Sequence, residues 1–147
     1  MGLDTTHDAF HGAYGAFNRF RQEVCWAIGG SFPPHFMRDK NGSVLTDEHA
    51  LIRINKELDG NFIYFPEEGV EEGMYEFLTH SDCDGEISPE MCLKVADDLE
   101  RILPKIQSLP DQGGGHIARR GGFAEVTKKF IAGCREAAAN NEPLRFM

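Results

Sequence analysis

Apolar residues near the start of the chain recur at three- and four-residue steps: Phe10, Tyr14, Phe17, Phe20, Val24 and Ile28. That spacing lays one apolar stripe along a helix, so a long amphipathic helix is expected over residues 4–28. Thr5 with Asp8 three positions on has the form of a capping box at its start, and Gly29-Gly30 ends it. Pro33-Pro34 and Asn41-Gly42 then mark a connection. Ala50, Leu51, Ile54 and Leu58 align on a shorter helix that begins at Thr46 or Asp47, and Asn61-Phe62-Ile63-Tyr64-Phe65 has strand composition. Acidic Glu67, Glu68, Glu71 and Glu72 follow as a solvated rim.

The second half is more regular. Ser88-Pro89-Glu90 supplies an N-cap, a first-turn proline and a dipole-matching acid. Cys92, Val95, Ala96, Leu99, Ile102, Leu103 and Ile106 then hold helical spacing, with Pro104 placed to kink or end the last turn. Residues 109–122 read as a glycine-rich loop. A last helix is expected over 123–139, with Val126, Phe130, Ile131, Cys134 and Ala138 inward, and Leu144-Arg145-Phe146 as an edge strand. The fold class this predicts is mainly α, three to four helices with a minor β element, in a single domain over residues 1–147.

A chain of 147 residues, 41% hydrophobic with eleven Phe, has material for one core. Its net charge of −9 argues against general nucleic-acid binding or attraction to anionic membranes, so any anionic ligand must be met by local cations. No apolar run reaches the roughly 20 residues that span a bilayer, and the first residues lack the basic and apolar regions of a signal peptide. A soluble, cytoplasmic protein is expected. Cys25, Cys83, Cys92 and Cys134 form no Cys-x-x-Cys pair, which fits free thiols in a reducing compartment.

Candidate chemistry lies first in His80-Ser81-Asp82-Cys83-Asp84-Gly85-Glu86-Ile87. Asp82, Asp84, Gly85 and Ile87 resemble the spacing of an EF-hand calcium loop, and Asp82, Asp84, Glu86 and Glu90 are its candidate ligands for one divalent cation, calcium or a transition metal. His80 stands at the first ligand position, and Met91 where the last bidentate Glu belongs. The same residues also make a capped turn without any metal.

On a helical wheel the first segment gathers His7, His11, Asn18 and Arg21 beside Tyr14, within a stripe of about 80°. Imidazole, phenol, amide and guanidinium together suit a polar ring or a phosphate. His7 and His11 also have the i, i+4 spacing of two zinc ligands, but Asp8 stands where a zinc protease has Glu. Asp4, Asp8, His7 and His11 could combine with His80, Asp82 and Asp84 around a catalytic metal. Arg119, Arg120, Gly121 and Gly122 precede the last helix, where glycine, free amides and two cations form an anion site or else a solvated linker.

The opening Gly2-Leu3-Asp4-Thr5-Thr6-His7-Asp8-Ala9-Phe10-His11-Gly12-Ala13-Tyr14, with Phe17, Phe20-Arg21 and the later His80-Ser81-Asp82-Cys83-Asp84-Gly85, resembles a group of small uncharacterised bacteriophage and prophage proteins. The resemblance implies a viral accessory role in the host cytosol, and that the two segments act together. The leading expectation is a noncatalytic protein that binds a small anionic ligand, such as a nucleotide-type host signal, or blocks a host protein. The alternatives are a metal-dependent phosphodiester hydrolase using Asp82, Asp84, His7 and His11, and a calcium-stabilised structural protein.

Overall fold

The computed structural model describes residues 2–28, 71–81 and 83–147, and in it the chain opens with a hairpin where a helix was expected. Strand β1 (Gly2–Asp4) pairs antiparallel with β2 (His11–Ala13), matching Leu3 to Gly12 and Asp4 to His11. A single 3-10 turn, Thr6–Asp8, lies between them, with His7 at φ 56° and Asp8 at φ 53°. The first helix, α1, spans Tyr14–Ala27. The Thr5 hydroxyl explains the difference, because it accepts from the Phe10 amide at 2.9 Å while the Thr5 amide donates to the Phe10 carbonyl at 3.0 Å. It therefore closes a loop instead of capping a helix. Phe10 still reaches the core by the return of the hairpin, so it keeps helical spacing without being helical.

Helix α2 (Glu72–Thr79) leads to strand β3 (Glu86–Ile87), helix α3 (Pro89–Gln107), the short α4 (Gly115–Arg119), helix α5 (Phe123–Ala139) and strand β4 (Leu144–Arg145). The helix and strand expected over 46–58 and 61–65 lie outside the described residues, as do Gly29-Gly30. Ser88 caps α3 by accepting from the Met91 amide at 3.2 Å, as its chemistry requires. Pro104 does not end α3, which continues to Gln107. The bond it forfeits is to the Glu100 carbonyl on an exposed face near the helix end, open to solvent, so the loss is not buried. Residues 109–122 are not wholly irregular either. Buried Ile117 anchors α4, and the Asp111 carboxylate turns the chain by accepting from the Gly113 amide at 2.8 Å.

The molecule is mainly helical with small antiparallel β elements. Helices α3 and α5 are the principal packed pair, α2 lies on α3, and the N-terminal turn lies on α5. Two glycines permit these approaches. A Cβ on Gly73 would fall 2.3 Å from the Lys94 carbonyl, and one on Gly133 would fall 2.4 Å from the Ala9 methyl. The core is dominated by phenylalanine. Phe10 and Phe17 meet edge to face with centroids 5.0 Å apart, Phe20 and Phe77 at 5.2 Å, and Phe77 and Phe130 at 5.1 Å.

Candidate functional site

The C-terminal tail joins the two segments singled out in the sequence. Strand β4 pairs with β3, and the Phe146 amide donates to the Gly85 carbonyl at 2.9 Å. On its other edge Phe146 bridges Thr5, while Asp4 and Met147 exchange amide-to-carbonyl bonds of 3.2 and 2.8 Å. The result is two two-stranded antiparallel sheets, β1–β2 and β3–β4, joined by the bridge between Thr5 and Phe146. The opening segment and the His80 loop thus flank one strand, but their histidines do different things.

His7 sits in the left-handed turn with its side chain 10% exposed, 3.0 Å from Glu142 and 3.9 Å from Glu136. His11 projects from the hairpin with its side chain 57% exposed and bonds the Asp4 carboxylate opposite it in register. The His80 ring stacks on Phe146 with centroids 4.3 Å apart, and its nitrogens face the Ser81 carbonyl at 2.8 Å and the Glu86 carbonyl at 3.2 Å. Its ring thereby closes the turn that contains Cys83, Asp84 and Gly85.

The helical stripe of His7, His11, Asn18 and Arg21 is not formed, because both histidines precede the start of α1 at Tyr14. Tyr14 is half-buried. Arg21 is buried over the Phe17 ring at 4.8 Å, donates to the Asn18 side chain at 2.7 Å, and donates to the carbonyls of Leu78 and His80. It closes the carboxyl end of α2 in that position, as a cation should.

Of the candidate cation ligands, Asp82 lies outside the described residues. Asp84 is exposed, its amide donating to the Ser81 hydroxyl at 3.3 Å. The Glu86 carboxylate lies 3.5 Å from Arg145, and Glu90 occupies the first turn of α3. Among the described residues no group of three or more His, Cys, Asp or Glu is arranged to hold a metal ion.

The amides at the start of α5 do not point outward for an anion. The Phe123 amide donates to the Gln112 carbonyl at 2.9 Å, and the Ala124 amide to the Gln112 side-chain oxygen at 3.1 Å. The Gln112 side-chain nitrogen meanwhile donates to the carbonyls of Ile106 and Leu109 at 2.8 and 3.0 Å. One amide side chain thus serves the end of α3 and the start of α5. Gly121 and Gly122, at φ 95° and 96°, turn the chain into α5, while Arg119 and Arg120 remain exposed.

Packing of α4 on the hairpin gives Arg120 a different setting. The His116 Nε2 lies 3.1 Å from the His11 carbonyl, and only a glycine at 12 leaves it room, since a Cβ there would stand 2.4 Å from that nitrogen. This contact places Arg120 beside His11 at a surface depression of about 90 Å³, floored by Phe10 and Val126 and rimmed also by Glu125 and Lys129. Lys129 pairs with Asp8 at 3.2 Å, and Glu125 with Lys128 at 3.0 Å. His11 and Arg120 belong to different candidate clusters in the sequence, and here they meet. Lys129 was not among the candidates, because on the expected helix it reads as one more solvated lysine.

Among the described residues no helix is long and apolar enough to cross a membrane. Comparisons with protein-family models, curated proteins and solved structures find no match to this chain.

Proposed function

We propose that the chain is a phage-type accessory protein that binds a small anionic ligand at the depression between the N-terminal hairpin and the start of α5, without catalysis. The observation that supports this reading is the meeting of His11, Arg120 and Lys129 at one concave site. On a chain of net charge −9 such a local group of cationic and polar side chains is what an anion requires. Arg120 offers a forked donor to a carboxylate or phosphate. The volume of about 90 Å³ is far below the roughly 300–1,000 Å³ of sites that enclose a whole drug-sized ligand. A terminal phosphoryl or carboxylate group therefore enters, and the rest of the ligand stays outside.

Titration calorimetry of the full chain with inorganic phosphate, mononucleotides and cyclic nucleotides tests this. The expected result is saturable heat with at least one of them that disappears in Arg120→Gln and Lys129→Gln. No saturable heat from any of them, or heat unchanged in both variants, rejects the site.

A further inference from the structure

We propose that Asp8 is a built-in competitor at the depression, an inference that rests on its reading as an anion site. The Asp8 carboxylate occupies Lys129 until a doubly charged phosphomonoester displaces it, and singly charged anions bind too weakly to do so. The Lys129 ammonium on the rim lies 3.2 Å from that carboxylate. Asp8 comes from outside α5, on the 3-10 turn Thr6–Asp8, and its side chain is 80% exposed. The turn that presents it is strained. His7 and Asp8 are consecutive non-glycine residues in the left-handed region, at φ 56° and 53°, a combination that persists only where neighbours enforce it. The Thr6 hydroxyl accepts from the Arg145 amide at 2.9 Å, His7 lies 3.0 Å from Glu142, and Ala9 packs against Gly133 closely enough to exclude a side chain there. From Asp8 the chain runs directly into Ala9, Phe10 and His11, which line the depression, so the carboxylate and the site are fixed by one turn.

Charge decides which ligands can make the exchange. A carboxylate tethered beside its partner acts at high effective concentration, and a free monoanion gains no charge by replacing it. A phosphomonoester carries close to two negative charges above its second pKa of about 6, on three terminal oxygens. One such group can pair with Lys129 and accept the fork of Arg120 at once, a gain over the single pair that it replaces. Asp8 then turns into solvent, and because it is already exposed the exchange leaves no buried charge behind. Glu125 also borders the depression, but it is matched to Lys128 at 3.0 Å within α5. It therefore serves as a control for the general field of the rim.

The test titrates the full chain, at about pH 8 and low salt, with a nucleoside 5′-monophosphate and with the matching 3′,5′-cyclic monophosphate, a singly charged diester. The parent should bind the monoester about tenfold more tightly, as one further charge-assisted hydrogen-bonded pair would give. Asp8→Asn removes the competing charge and keeps a residue that tolerates positive φ, so the variant stays folded. It should bind both ligands about fivefold more tightly than the parent, whereas Glu125→Gln should change affinity by about twofold or less. Monoester affinity that is unchanged in Asp8→Asn but lost in Arg120→Gln overturns the competitor role and leaves the anion site standing. So does an equal gain from Glu125→Gln, or a parent that binds the diester as tightly as the monoester. No saturable binding of either ligand, by the parent or by Asp8→Asn, rejects the anion site itself and the role of Asp8 with it.

Discussion

Asp98 and Arg21 hold opposite ends of the same short helix. The Asp98 carboxylate, buried on α3, accepts from the Met74 amide at 3.0 Å in the first turn of α2, and Arg21 on α1 donates to the Leu78 and His80 carbonyls at the other end. An isolated helix of eight residues is far too short to persist in water. Here its free amides and carbonyls are met by side chains of matching charge from two neighbouring helices.

Removing either clamp leaves buried backbone groups without a partner. Asp98→Ala and Arg21→Met should each destabilise the fold by about 2–3 kcal/mol, read from urea denaturation midpoints. The double substitution should cost less than the sum, since both act on one helix. Anion binding at the His11–Arg120 depression should survive in the Arg21 variant at temperatures where it is folded. Loss of binding from the folded variant would return Arg21 to the ligand site.

Gln112 joins α3 to α5 through one side chain, accepting from the Ala124 amide and donating to the Ile106 and Leu109 carbonyls. Gln112→Ala should cost about 1–3 kcal/mol, because both helix ends lose a partner in a half-buried setting. Gln112→Glu should fall between, since it keeps the acceptor toward α5 but turns a donor into a negative charge at the carboxyl end of α3. Equal denaturation midpoints for the two variants would show that the acceptor toward α5, which Gln112→Glu keeps, adds no net stability.

How far the fold was legible follows from where the determining contacts lie. Helix α5 spans the expected residues 123–139, α3 starts at its Ser88 cap, and Leu144-Arg145 pairs as a strand, because local chemistry settles each of them. The opening hairpin was misread as helix since Thr5 and Asp8 have the form of a capping box, and the competing partner of the Thr5 hydroxyl, Phe10, is one more apolar residue at helical spacing. The roles of Gln112, Asp98 and Arg21 were illegible because each acts on an element distant in sequence. The candidate site was half legible: His11 and Arg120 each stood out, but their meeting depends on Gly12 admitting His116.

That dependence can be tested by Gly12→Ala. The new methyl would lie 2.4 Å from His116 Nε2, so the ring must leave, the bond to the His11 carbonyl is lost, and α4 loosens from the hairpin. Overpacking of this kind costs about 1–3 kcal/mol. If α4 positions Arg120, anion affinity should fall about tenfold, equivalent to about 1.4 kcal/mol. His116→Ala in the Gly12→Ala background removes the clash without restoring the contact, so it should recover stability but leave binding weak. Binding that recovers along with stability would show that α4 does not set the site.

Acid stability should carry the signature of the α3–α5 surface. The bond from Arg135 to Glu100, 2.6 Å at its closer oxygen, and then the charge of that guanidinium hold the Glu100 carboxyl below its ordinary value of 4.5. Because the folded value is lower than the unfolded one, the folded state binds fewer protons in the window between them. The contribution is therefore complete above the ordinary glutamate value and is lost as pH falls through the folded value. Glu72, lowered by Lys94 between α2 and α3, behaves with the same sign. Both pairs are exposed and screened, so each effect is small. In Glu100→Gln the urea midpoint should change little at pH 7, and its decline below about pH 4.5 should be shallower than in the parent chain. At 1 M salt the two pH profiles should converge. A Glu100→Gln profile as steep as that of the parent would place the acid sensitivity in other carboxylates.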